Sequence, residues 1–84
     1  MAGKEFEAAV ESVKGLEREP SNEVRLRMYA LYKQATGGDA SGKRPGVTNF
    51  VGRMKYDAWA GLAGTSPEDA EAQYVAIVAD LTAP

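Results

Sequence analysis

The residues best able to grip a ligand lie in the middle of the chain. Tyr29, Tyr32 and Lys33 stand in the run YALYKQATGGDASGKRPG, just ahead of a glycine-rich stretch that ends in the adjacent cations Lys43 and Arg44. On a helical wheel at about 100° per residue, Arg25, Leu26, Tyr29, Tyr32 and Lys33 share an arc of roughly 120°. A separate apolar stripe holds Val24, Met28, Leu31 and Ala35. Tyr29 and Lys33 are i, i+4 neighbours, so a ring and an ammonium can reach one bound group. A phenol gives a stacking plane for a base and a lysine gives a mobile charge for a phosphate, which suits a flat, phosphorylated molecule. Lys14 and Lys55 add cations from neighbouring elements. Taken singly, either tyrosine also suits a packing position with its hydroxyl in water; the pair with Lys33 inside a basic segment favours a ligand.

Charge supports that reading. Between Val24 and Tyr56 the sequence carries seven cations and one acid, Asp39, although the whole chain has a net charge of -2. The segment therefore holds about +6 and the flanks about -8, and an ionic ligand responds to the local patch. The chain has no cysteine and no histidine. That removes disulfides, thiolate nucleophiles, the usual zinc ligands and the side chain best suited to proton transfer near neutral pH. Ser41 and Ser66 have no evident base, so no catalytic residue, metal or cofactor is expected. The run GGDASGKR places Gly37, Gly42 and Lys43 as a phosphate-binding P-loop would, but Arg44 replaces the hydroxyl that binds magnesium and Pro45-Gly46 follow where a helix must start. A crossover loop explains it better.

Four helices must position these residues. Phe6, Ala9, Val10, Val13 and Leu16 form one amphipathic stripe, weakened at Gly15 and stopped by Pro20. Ser21 or Asn22 caps a second helix that runs to Ala35 or Thr36 before Gly37-Gly38. Thr48 or Asn49 starts a third, Phe50 to about Ala63, broken by Gly64. Ser66, Pro67 and Asp69 open the fourth, with core positions Ala70, Tyr74, Ile77 and Leu81. No segment alternates as a strand does. Eighty-four residues make one domain, 1–84. The connection between helices two and three is long enough to let them point the same way, which predicts an all-α four-helix bundle with one long crossover. No uninterrupted apolar run suits a signal peptide or membrane span, so a soluble cytoplasmic protein is expected.

The run YALYKQATGGDASGKRPG, followed by NFVGRMKYDAWAGLAGTSPEDA and Tyr74, closely resembles the acyl-CoA-binding protein family over about Phe6 to Leu81. The resemblance implies a compact four-helix bundle that holds medium- to long-chain acyl-CoA thioesters non-covalently, as buffer or carrier, with no chemistry performed on them. By position it gives Tyr32 the adenine ring and gathers Tyr29, Lys33 and Lys55 around the ribose 3′-phosphate. Lys14 falls near the rest of the head group and Tyr74 closes over the ligand. Phe6, Ala9, Val10 and Leu26 are implied as the apolar floor for the acyl chain. Asp39, Arg44 and Pro45 also match, in roles that hold the loop and helix ends. Tyr56 stands where the family usually has tryptophan, Val51 where many relatives have lysine, and Arg25 where relatives often have an apolar residue. Expected partners are the acyl-CoA ligand and transient contacts with enzymes that use it, with no nucleic acid, no stable membrane insertion and a monomeric state. The competing reading is a helical protein-interaction module whose basic face docks an acidic partner.

Overall fold

The computed structural model describes residues 3–83, which hold four helices and no strand. They are α1 Lys4–Val13, α2 Asn22–Gly37, α3 Phe50–Ala60 and α4 Pro67–Thr82. Side-chain caps settle three starts by satisfying otherwise unpaired amides. The Ser21 hydroxyl accepts from the Val24 amide at 3.2 Å, Asn49 Oδ1 from Gly52 at 2.9 Å, and the Ser66 hydroxyl from Asp69 at 3.1 Å. α1 has no side-chain cap, and the Gly3 amide instead donates to Glu71 Oε1 of α4 at 3.0 Å.

Two helix ends fall short of the expectation. α1 stops at Val13 because the chain turns at Lys14-Gly15, leaving Leu16 beyond the helix. α3 stops at Ala60, not near Ala63, because the next amides tighten into i to i+3 bonds, Leu62 to Trp59 at 2.9 Å and Ala63 to Ala60 at 3.2 Å. Gly64 then takes φ 88°, a conformation open to glycine at little cost, and turns the chain into α4.

α2 packs against both α3 and α4, and α1 packs on α4, with Phe6 meeting Tyr32 of α2. Along α2 and α3, Tyr29 meets Lys55 and Lys33 meets Trp59, so equal steps on both helices run the same way. The expected parallel crossover is therefore present. Arg27 bonds Gln73 at 2.9 Å while Gln34 bonds the Thr65 carbonyl at 2.9 Å, which makes α4 antiparallel to α2.

Phe6, Ala9, Met28, Leu31, Ala70, Tyr74 and Val78 form the core. Val24, Ala35, Ile77 and Leu81 pack half-buried at its margin. The α2 stripe read from sequence is too narrow, since Ala30 and Gln34 are also buried. A helix flanked by two others needs two covered faces.

α3 contains no fully buried residue, and polar bonds hold it to the crossover. The Trp59 indole donates to the Gly38 carbonyl at 2.7 Å, Arg44 binds Asp57 through two bonds of 2.8 and 2.7 Å, and the Tyr56 hydroxyl donates to the Gly42 carbonyl at 3.2 Å. Gln34 Nε2 donates to Asp39 Oδ1 at 2.8 Å, and the Gly64 amide donates to the same oxygen at 2.9 Å. The Gly64 amide, then Gln34, hold the Asp39 carboxyl below the usual carboxylate range. Because the folded value is depressed, its stabilisation is complete above the unfolded value and disappears as pH falls through the folded one.

Two outcomes follow for urea unfolding. Gln34→Ala lowers stability by about 2 kcal/mol, the range for leaving buried hydrogen-bond partners unmet. Asp39→Asn flattens the loss of stability of the wild type on acidification below about pH 4; identical acid profiles for the two proteins contradict the assignment.

Candidate functional site

Two of the openings along α2 meet at Arg25 and Tyr29. The larger, about 560 Å³, lies between the end of α1, the connection into α2, and α2 itself, with Tyr74 of α4 at its base. Tyr29, Tyr32, Lys14, Arg18 and Arg25 face it together with Met28. Its volume lies within the range of pockets that take small molecules. A second groove, about 460 Å³, runs between α2 and α3 and is lined by Leu26, Val51 and Met54, with Lys55 at its edge. Tyr29 and Arg25 belong to both, so α2 presents them at the junction.

The aromatic residues form a connected set. Phe6 stacks on Tyr32 at 6.0 Å between centroids and meets Tyr74 edge-on at 5.2 Å. Phe6 and Tyr74 are buried, while Tyr32 is 41% exposed, so the core fixes the tyrosine from behind and leaves a face to the cavity. Burial, then the neighbouring Tyr32, push the Tyr74 phenol above the usual tyrosine range. A hydrogen bond to Glu11, 2.6 Å away on the surface, holds Lys14 above the usual lysine range. Arg25 pairs with Glu19 at 2.9 Å across the connection.

The positions read from sequence distribute as follows. Lys14, Tyr29, Tyr32 and Tyr74 come together in one cavity. Lys55 sits over the Tyr29 ring at 5.2 Å, beside that cavity. Lys33 lies over Trp59 at 4.8 Å, on the α3 side of α2. Of the four apolar positions, Phe6 and Ala9 are core residues, Val10 borders a shallow depression with Phe6 and Tyr32, and Leu26 lines the groove against α3. They do not make one continuous floor: Phe6 and Ala9 are enclosed in the core, while Leu26 faces the groove against α3. Sequence reasoning did not place Arg18 at the cavity, or Val51 and Met54 along the groove. Arg18 reaches the cavity only because the connection folds across its end, a tertiary event without a periodic signal. Arg25 was visible in sequence as a departure from the expected apolar residue.

A helical bundle with an open cleft that joins phenols, cations and apolar surface defines a binding protein for an amphipathic anion. Comparison narrows the class. The family model described as "Acyl CoA binding protein" matches residues 3–78. The acyl-CoA-binding protein of Saccharomyces cerevisiae is 45% identical over 83 residues, covering 99% of this chain and 95% of that protein. The crystal structure of Oryza sativa Acyl-CoA-Binding Protein 2 superposes with a TM-score of 0.88 at 45% identity, over 93% of this chain and 85% of that one. Enoyl-CoA delta isomerase 2 of Rattus norvegicus is 47% identical over 79 residues, but this chain spans only 20% of its length. The chain belongs to the acyl-CoA-binding protein family.

Because the neutral Tyr74 phenol is the form the fold favours, its contribution to stability is present below about pH 10 and is lost as pH rises through its folded value. Ultraviolet titration shows a late tyrosine ionisation that Tyr74→Phe removes; a late step that persists in the variant contradicts the placement.

Proposed function

We propose that this protein binds medium- to long-chain fatty acyl-CoA thioesters without transforming them, and serves as a monomeric cytoplasmic buffer or carrier. The observation that carries the reading is the junction at Tyr29 and Arg25, where a cavity rich in phenols and cations meets an apolar groove. One ligand with a phosphorylated nucleotide head and a hydrocarbon tail uses both. The names of the relatives add support, since several are acyl-CoA-binding proteins.

In this reading Tyr32 offers its open face to adenine. Tyr29 and Lys55, already in contact, meet the ribose phosphate, and Lys14 supplies charge nearby. Lys33 joins them by leaving Trp59, at a cost of about 0.5–1 kcal/mol for an exposed cation–π contact. Tyr74 closes the base of the head-group site. Leu26, Val51 and Met54 offer apolar surface to the tail, while Phe6 and Ala9 support the site from the core and Val10 borders it. Head-group contacts then set orientation and specificity, and the tail sets affinity. Each covered methylene contributes roughly 0.8 kcal/mol, so a sixteen-carbon chain supplies on the order of 10 kcal/mol before ordering costs. The absence of cysteine and histidine from the sequence favours binding over catalysis.

Calorimetry tests the division of labour: palmitoyl-CoA binds far more tightly than free CoA, and equal affinities overturn the proposal. Tyr32→Ala and Lys33→Ala each weaken palmitoyl-CoA binding by at least about 1 kcal/mol, from lost stacking and charge-assisted bonding. Unchanged affinity in both variants means that the head group sits elsewhere.

A further inference from the structure

We propose that Glu19 competes with a ligand phosphate for Arg25, so that this one ion pair sets how firmly the larger cavity holds a phosphorylated head group, a step that rests on the reading above that the cavity takes such a head. Arg25 stands where cavity and groove meet, and its Nη2 lies 2.9 Å from Glu19 Oε2. Among the described residues that line the cavity, Glu19 is the one acid, facing the cations Lys14, Arg18 and Arg25. Lys14 is paired with Glu11 on the surface, and Arg18 takes part in no ion pair among the described residues. Arg25 is therefore the cation that the cavity's own acid occupies.

Local chain structure puts the carboxylate there. Pro20 restricts the backbone between Glu19 and α2. The Ser21 carbonyl accepts from the Arg25 amide at 2.9 Å and its hydroxyl from the Val24 amide at 3.2 Å, which docks the connection on the first turn of α2. A carboxylate tethered this closely acts on the guanidinium at an effective concentration on the order of millimolar, so a dilute free anion does not displace it. A phosphate carried by a ligand that Tyr29 and Tyr32 already hold is tethered in its turn. It also bears more charge than a carboxylate and matches the planar guanidinium fork. Glu19 yields readily, because its side chain is 86% exposed and that of Arg25 49%, and exposed ion pairs hold weakly. Once displaced, Glu19 turns to solvent and Arg25 joins Arg18 and Lys14 in facing the phosphates. The pair filters ligands by charge: a free fatty acid brings only a carboxylate, the group that Glu19 already supplies.

Calorimetry with palmitoyl-CoA on the wild type, Glu19→Gln, Arg25→Gln and the double variant tests the competition. Glu19→Gln raises affinity about five-fold, the upper range for freeing one exposed ion pair. Arg25→Gln lowers it about five-fold or more, from lost charge-assisted bonds to phosphate. In the Arg25→Gln background the Glu19 substitution shifts affinity by less than about two-fold, because the group it competes for is gone. Palmitoyl-pantetheine, which keeps the thioester and tail but has no phosphate, binds the wild type and Glu19→Gln alike. An equal gain in both backgrounds makes Glu19 a distant charge and overturns the proposal, as does an equal gain with palmitoyl-pantetheine, or no gain at all. Each of those results leaves palmitoyl-CoA binding by the wild type intact; a wild type that does not bind palmitoyl-CoA overturns the reading of the cavity and the competition together.

Discussion

The Asp39 carboxylate, accepting from both Gln34 and the Gly64 amide, is the contact on which the arrangement depends. It ties α2, the start of the crossover and the turn before α4 to one oxygen. α3 buries no residue completely, so it cannot be placed by apolar packing alone. Its direction and depth follow from bonds to a loop that the Asp39 contact secures, chiefly Trp59 to Gly38 and Arg44 to Asp57. Once α3 lies parallel to α2, Lys55 reaches Tyr29 and a groove opens between the two helices. The site is thus a consequence of polar clamping at one end of the bundle.

The same economy explains the mixture of surfaces. A bundle that covered α3 on all sides would leave no groove for a tail, and one that packed α1 tightly along α2 would fill the tyrosine cavity. Here α1 rests on α4 and approaches α2 at the Phe6 and Tyr32 rings. Apolar area left uncovered on α3 is surface that the core does not use.

Much of this was legible in the sequence because it rests on local rules. Helix starts follow from Ser21, Asn49 and Ser66, whose side chains reach amides three residues on. The parallel pair follows from the length of the loop, and the sequence singled out Lys14, Tyr29, Tyr32 and Tyr74, which the fold brings to one cavity. The placement of Lys33 against Trp59, the separation of Leu26 from Phe6, and the burial of Gln34 were not legible, because each depends on which helix faces which side of α2. A helical wheel reports the angle of a side chain, and only the tertiary arrangement reports what lies at that angle.

The most direct test of the account is amide chemical-shift mapping as palmitoyl-CoA is added to the protein. The account predicts that the largest changes run from Lys14 through the connection to Tyr32, reach Lys55 and Tyr74, and continue along Leu26, Val51 and Met54. Changes confined to the exposed side of α4, or no changes at saturating ligand, would contradict it.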